Sequence, residues 1–340
     1  NGVEGGAMRV FVTGHRGYIG APLVELLKAE GHSVTGCDLG LFDGCEWEPL
    51  VSPDLELRRD VRGLTERDLE GHDAVMHLAA ISTDPMGELD ADLTYAVNLH
   101  GSVRLAEVAK RAGVPRFLFS SSCSIYGAGG DRDLDESAPV NPLTAYAVSK
   151  VETEKRVAAL ADRGFSPVFL RNSTAYGHSR NLRVDLVANN LLACALARGD
   201  IRIQSDGTPW RPLVHCRDIA RAFIALASAP RERVHNAVVN VGGNGENYRV
   251  REVAGQVGRL VPNASIVYTG EVGADPRNYR VNFDLLGRLL PKFRLEHDLA
   301  SGLEELHRKF VEHGFGKAEF EGDRFVRLRT LKKRMRLLSR

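Results

Sequence analysis

Tyr146 and Lys150 in "AYAVSK" stand four residues apart inside a helical pattern, so their side chains share one face. A tyrosine beside a lysine can act as a proton acceptor. Free tyrosine titrates near ~10, so work near neutrality asks for a shift of about 3 units, roughly 4 kcal/mol, which nearby cations can supply. Just after the apolar run "RFLF" comes "SSSCSIYG". A hydroxyl at the carboxyl end of a buried parallel strand faces the crevice where such sheets bind ligands, and Ser122 is the candidate among the three serines. Alone, Y-x-x-x-K is a common helix-surface pair and S-S-S a polar strand end. Their joint occurrence in a chain with a dinucleotide-type glycine loop reverses that reading, with the tyrosine as a base.

A second constellation lies at the start of the chain. In "RVFVTGHRGYIGAPLVELL", Gly14, Gly17 and Gly20 follow an apolar strand and open a helix. Glycines there permit a tight turn and the close approach of a pyrophosphate to the helix N-terminus, and Tyr18 and Ile19 sit in the same turn. Eighteen residues beyond Gly20, Asp38 ends the next strand, where a carboxylate accepts both adenosine ribose hydroxyls and repels a 2′-phosphate. No arginine follows in "DLGLFDG", so NAD is expected over NADP, with Arg16 in the loop the one residue speaking against it.

Positioning these groups requires a particular order of elements. Arg9–Thr13 reads as a buried parallel strand, Tyr18–Glu30 as a helix and Ser33–Cys37 as a second strand, together one βαβ unit. His72–Ala80, Pro115–Ser122 and Ser166–Ser173 continue the strands, with helical patterns at Ala91–Ala112 and Ala145–Arg163 between them. The fold class expected is therefore α/β, a doubly wound (Rossmann) parallel sheet over residues 8–173. Beyond Ser173 the pattern loosens, with helices at Leu186–Arg198 and Arg217–Ala227, and "AVVNVGG" reads as a strand returning to the main sheet. Residues 174–323 are thus expected to form mainly a smaller mixed α/β substrate-binding lobe, with segments near 212–245 rejoining the first domain. Residues 324–340 form a basic tail in which Leu328, Leu331, Met335 and Leu338 recur at helical spacing among seven basic residues from Arg327 to Arg340. That pattern suits a peripheral contact with an anionic membrane or a partner, or else packing on the protein itself.

Composition narrows the class further. With 45 basic and 44 acidic residues in 340 there is no global field to gather nucleic acid, and no apolar run is long enough to span a bilayer. Five scattered cysteines without a close pair at metal-ligand spacing point to a reducing cytoplasm and to no metal site. Residues 1–7, ahead of Met8, lack the regions of a signal peptide and are read as lying outside the fold.

"VTGHRGYIG", Asp38, "HLAA", "VNLHGSVRL", "FSSSCSIYG", "YAVSK" and "RPLVHCRDIA" in this order resemble the extended short-chain dehydrogenase/reductases, specifically the NAD-dependent epimerase/dehydratase family acting on nucleotide sugars. The resemblance runs from Met8 to about Leu290. It implies that Ser122, Tyr146 and Lys150 are the catalytic trio, that Asp60 and Val61 meet the adenine, and that Leu78, Ala79, Ala80 and Asn98 line the cofactor. It also implies a homodimer paired through the helices at Ala91–Ala112 and Ala145–Arg163.

Within the family, sugar 4,6-dehydratases carry an Asp-Glu pair after the catalytic hydroxyl, where this chain has Cys123 and Ser124. What remains is 4-epimerisation through a 4-keto sugar, with Tyr146 as base and NAD tightly retained. The resemblance to UDP-hexose epimerases places Asn190 by the substrate and Arg211 on its phosphates, with Ser82, Thr83 and Ser124 in the same pocket. The family's R-x-G-D pattern is missing from "EVGADPRNY", leaving Arg277 as the replacement. In "LRNSTAYG", Thr174 stands where galactose-type enzymes place asparagine, and Arg183-Val184-Asp185-Leu186 resembles a run found in hexuronate 4-epimerases. UDP-glucuronate is accordingly the expected substrate, with a neutral UDP-hexose epimerase as the alternative. A non-enzymatic NAD sensor on the same fold would keep the glycine loop but lose the tyrosine.

Overall fold

The computed structural model describes residues 6–82, 84–270 and 277–334. Seven parallel strands form its central sheet: β1 Arg9–Thr13, β2 Ser33–Asp38, β3 Leu55–Arg58, β4 Ala74–His77, β5 Arg116–Ser122, β6 Ser166–Asn172 and β7 Ala237–Val241. Their order is β7-β6-β5-β4-β1-β2-β3. The chain therefore starts in the middle of the sheet and reverses direction between β1 and β4, which opens a crevice at their carboxyl ends. The strands are near-continuous apolar runs because helices cover both faces. On one face Val10, Val12, Leu118 and Leu170 meet Leu23 and Leu27 of helix α1 (Gly20–Ala29); on the other, Phe11, Phe117 and Phe119 meet Leu105 and Ala109 of helix α2 (Ser102–Arg111).

Helix α3 (Ala145–Ala158) carries the Y-x-x-x-K pair. It stops five residues before the expected Arg163, because Asp162 turns the chain by accepting from the Gly164 and Phe165 amides at 2.8 and 2.9 Å. The helix expected over Ala91–Ala112 is likewise interrupted. Residues Tyr95–Gly101 form a wide π-turn between a short Ala91–Thr94 helix and α2. Such turns push one side chain inward, here Asn98. The returning strand is as expected: β7 pairs in parallel with β6 from Ala237↔Val168 to Val241↔Asn172.

Helices α4 (Val187–Arg198), α5 (Cys216–Ser228), α6 (Val250–Leu260) and α7 (Leu299–Glu312) follow. Of these, α4, α6 and α7 enclose a separate apolar cluster with Tyr176, Leu213 and Phe325, set beside the crevice. Short two- and three-stranded sheets bridge it to the rest, among them the pairing of Asn278–Val281 with Ala128–Leu134.

The basic tail begins as helix α8 (Arg327–Arg334). Its Leu331 is buried and Leu328 half-buried against Ile81, Met86, Val97, Leu41 and Phe42. Over these residues the apolar face that a membrane or partner contact would need is packed on the protein itself; Met335 and Leu338 lie outside the described residues. All five cysteines are buried and free. Among the described residues, no helix is long and apolar enough to cross a membrane.

Candidate active site

After Thr13 the chain turns at Gly14, whose φ is +69° and whose amide donates to Cys37 O at 2.8 Å. A Cβ on Gly14 would stand 2.7 Å from Ala79 N, and one on Gly20 would stand 2.1 Å from Gly14 O. Only glycine fits at either point. The loop can thus lie flat between the ends of β2 and β4, and α1 begins without a side-chain cap: the Ala21 amide donates to Gly17 O at 2.9 Å and Pro22 has no amide, so the turn ahead of them, Tyr18–Gly20, faces the crevice. At the tip of β2 the Asp38 carboxylate accepts from the Arg16 and Gly40 amides at 3.2 and 2.8 Å. The Arg16 guanidinium turns the other way, into Asp43, Glu46 and Glu56 at 2.9, 2.8 and 3.2 Å. The one residue that spoke for a 2′-phosphate is occupied by three carboxylates. A cradle of this shape, with a carboxylate at the ribose position, fits a dinucleotide.

Behind the cradle is a set of buried braces that sequence reading did not single out. Thr13 Oγ1 accepts from the Leu78 and Ala79 amides at 3.2 Å and contacts His77 Nδ1 at 2.6 Å, while His77 Nε2 contacts Ser102 Oγ at 2.7 Å. Burial pulls the His77 pKa down to about 3, helped by the Lys150 charge, so the ring is neutral. Asn98 Oδ1 accepts from Ile81 N at 2.8 Å and its Nδ2 donates to Ile81 O at 3.0 Å. Asn98, expected to line the cofactor, is itself buried away from the crevice and holds the backbone of Ile81, which lines it. Leu78, Ala79 and Ala80 face the crevice directly, as do Tyr18, Ile19 and Val61. Asp60 also lines it while capping the Val61–Gly63 turn through the Arg62 amide at 2.8 Å.

The crevice opens into a cleft of about 910 Å³ that gathers the reactive groups. Tyr146 and Ser122 both line it, close enough for the serine hydroxyl to bear on the tyrosine's ionisation. Lys150 Nζ donates to Ser120 O at 2.6 Å and lies 5.5 Å from the Tyr146 ring centroid. Of the three serines, Ser121 is turned away from Tyr146 and donates to Glu154 Oε1 at 2.5 Å, in a buried pair with Arg171. Desolvation lowers the Lys150 pKa to about 7 against the opposing pull of Glu154. Desolvation, with the Asp84 charge, pushes Tyr146 up to about 12, while the Ser122 hydroxyl, Arg183 and Arg277 pull it down. Without a ligand, then, the tyrosine is neutral and the lysine shares its proton with solvent near pH 7.

The N-terminus of α3 is held from outside. Thr144 caps it by accepting from Ala147 N at 3.1 Å, and Glu88 accepts from Ala145 N at 2.8 Å. Thr144 also donates to Asp84, whose other oxygen pairs with Arg277 at 2.8 Å. Asp84 is a site residue that sequence reading missed. Nothing in "STDP" marks it out, since its importance comes from Arg277, nearly two hundred residues away.

Toward the separate apolar cluster, Ser82, Ser124, Thr174, Arg183, Asn190, Arg211 and Arg277 line the same cleft, joined by the buried Tyr279. Thr83 lies outside the described residues. Arg183 is buried, bidentate to Asp185 at 3.0 and 2.8 Å, with Nη1 donating to Ser82 Oγ at 3.3 Å. Asn190 Nδ2 donates to Val184 O at 3.0 Å, and Arg211 Nη1 to Trp210 O at 2.8 Å. Near Ser122, the buried Ser124 Oγ, Asn172 Oδ1 and Ser173 Oγ have no hydrogen-bond partner among the described residues. Cys123, by contrast, is fully buried; its thiol donates to Arg171 O at 3.1 Å and burial pushes its pKa up.

Residues 10–242 match the NAD dependent epimerase/dehydratase family. The chain belongs to that family. It is 31% identical over 231 residues to the UDP-glucose 4-epimerase of Mycolicibacterium smegmatis, covering 64% of this chain and 72% of that one. Among solved structures of the epimerase/dehydratase fold, MoeE5 in complex with UDP-glucuronic acid and NAD is 29% identical, with a TM-score of 0.78 over 89% of this chain and 99% of its own. The NAD-dependent NDP-hexosamine 5,6-dehydratase TunA, of tunicamycin biosynthesis, is 25% identical, with a TM-score of 0.80 over 90% and 98%. Family membership makes the protein an NAD-dependent enzyme, and the cradle described above is where its own residues suit that cofactor.

Proposed function

We propose that this family member is a nucleotide-sugar 4-epimerase whose substrate is UDP-glucuronate. The observation that carries the reaction type is the pair of residues after Ser122. A dehydratase needs an additional acid and base to eliminate water across two carbons. Cys123 is buried and its thiol engaged, Ser124 is a neutral hydroxyl, and the carboxylate near Tyr146, Asp84, is held by Thr144 and Arg277. That leaves one proton-transfer group, Tyr146, with Ser122 beside it in the cleft.

When bound, NAD supplies reversible acceptance of the hydride at the sugar C4, so the reaction has no net redox change. The chain's own residues do the rest. Tyr146 takes the proton of the 4-hydroxyl and returns it, and Ser122 keeps that hydroxyl aligned. A protonated Lys150 stabilises the tyrosinate, which the Arg183 and Arg277 charges also favour. Ser124, Asn172 and Ser173 offer otherwise unpaired hydrogen-bonding atoms to a polyhydroxylated ring free to turn between them. Arg211 and Asn190 hold the nucleotide diphosphate.

The uronate assignment rests on Arg183, a buried guanidinium facing the cleft beside Ser82, together with Thr174. That MoeE5 has been seen with UDP-glucuronic acid supports it. Neutral UDP-hexose is the second reading, favoured by the bidentate hold of Asp185 on Arg183, which already balances its charge. Incubating the purified protein with a panel of UDP-sugars and resolving the products by chromatography tests both. Conversion of UDP-glucuronate to its C4 epimer is the expected outcome, and conversion of UDP-glucose alone would replace it with the second reading.

A further inference from the structure

Helix α8 is more than a terminal appendage, because it lies along one wall of the cofactor end of the cleft. Its ends are tied to two different segments of that end. At the start, Arg327 Nη2 donates to Asn181 Oδ1 and to Leu182 O at 3.2 Å, and Asn181 Nδ2 donates in turn to Arg16 O in the glycine loop. At the finish, Arg334 Nη1 donates to Leu41 O and Asp43 O at 2.8 and 2.9 Å, in the segment that follows Asp38. Between them Leu331 is buried beside Ile81, next to the cofactor-facing backbone of Leu78–Ala80. Residues 326–329 line the same cleft as Gly14, Gly17 and Asp38.

Arg327 is 2% exposed, and its guanidinium sits 4.6 Å above the Phe42 ring. It makes no ion pair among the described residues, since the nearby carboxylate, Asp185, is held bidentate by Arg183. The buried Cys45 thiol lies beside the Arg327 guanidinium, and among the described residues no acceptor stands within hydrogen-bonding distance of its Nη1. An uncompensated buried guanidinium is costly, and burial lowers its pKa to about 10. A protein keeps such a group where an anion completes it. The anion class that a dinucleotide brings to a glycine loop is a diphosphate, whose oxygens suit a planar guanidinium fork.

We infer that α8 is a clasp over the cofactor end of the cleft, and that Arg327 Nη1 donates to the diphosphate of the bound dinucleotide. The helix thus belongs to the cofactor site, which explains why its apolar residues face inward. This inference rests on NAD dependence and not on which sugar is turned over.

The test compares full-length wild type with Arg327→Met and Arg327→Lys. Calorimetry would give affinities for NAD, ADP-ribose, adenosine and UDP, and melting curves would be taken with and without each. A charged hydrogen bond to phosphate predicts roughly 10- to 100-fold weaker NAD and ADP-ribose binding in Arg327→Met, and a smaller loss in Arg327→Lys, which keeps the charge but not the fork. Adenosine and UDP, which lack the dinucleotide's diphosphate, should bind as in wild type. The melting shift caused by NAD should shrink while the nucleotide-free melting temperature holds. A residue that is only structural would lower both melting temperatures alike and leave the NAD shift intact, overturning the inference. Unchanged NAD affinity in both variants would overturn it as well. Weaker UDP with unchanged NAD would overturn it too, transferring Arg327 to the diphosphate of the sugar substrate. Should Arg327→Met fail to fold, Arg327→Lys carries the same four-ligand comparison.

Discussion

The two halves of the cleft are built on different principles. The cofactor half is made of backbone: the glycine turn, the uncapped start of α1 and the Leu78–Ala80 segment, all propped by Thr13, His77 and Asn98. The sugar half is made of side chains from at least five separate segments, held by ion pairs such as Asp84–Arg277 and Arg183–Asp185. A backbone cradle admits one ligand shape and tolerates little change. Side chains on separated segments can be exchanged singly, so the sugar half is where specificity is free to vary.

Tyr146→Phe separates the halves most sharply. Removing the proton acceptor should cost roughly 10²- to 10⁴-fold in kcat while NAD occupancy of the purified protein stays at the wild-type level. Near-normal turnover in that variant would refute the mechanism.

Lys150 sits where the halves meet. Its pKa is near 7 folded against 10.5 unfolded, so between those values the unfolded chain holds a proton that the folded one has released. Stability from this group therefore rises with pH from about 7 to 10.5, and the full penalty, on the order of 4 kcal/mol, applies below pH 7. Lys150→Met should stabilise the nucleotide-free protein most at pH 6, with the gain fading toward pH 10. Urea titrations of both proteins at those pH values would show it, and a gain independent of pH would show that the lysine is not buried as a charge.

Within the sugar half, Arg183→Ala should lower kcat/KM for UDP-glucuronate by roughly 30- to 1,000-fold and change UDP-glucose little. Small, equal losses on both would mean that Arg183 serves only Asp185. The smallest effect is expected in the cofactor half: Asp38→Ala should narrow the preference for NAD over NADP by about tenfold, one charge-assisted hydrogen bond to ribose. An unchanged ratio of the two affinities would remove Asp38 from that role.

The same contrast explains what could be read in advance. Gly14, Gly17, Gly20 and Asp38 are legible because the constraint is local, with turn, strand end and helix start all lying within thirty residues. Tyr146 and Lys150 are legible because one helix fixes their relation. Asp84 was not, since it and its partners Thr144 and Arg277 lie on three separate segments. The bond of Asn98 to Ile81 was not legible either, because a helical period gives no sign of the wide turn at Tyr95–Gly101 in which it sits. The tail shows the same limit: its periodicity marks an apolar face, but not the surface that face covers.

By itself, then, the sequence determined the βαβ order, the glycine turn, the carboxylate at the end of β2 and the tyrosine–lysine pair, because each depends on residues near one another along the chain or on a repeat of apolar types that burial enforces. Only the tertiary structure decided that Arg16 is consumed by carboxylates, that Asp84 anchors α3 to Arg277, that Arg183 is shared with Asp185, and that Arg327 returns from the far end of the chain to the glycine loop. Charges and hydrogen bonds act through space over a few ångströms, and which charge arrives there depends on how the whole chain packs.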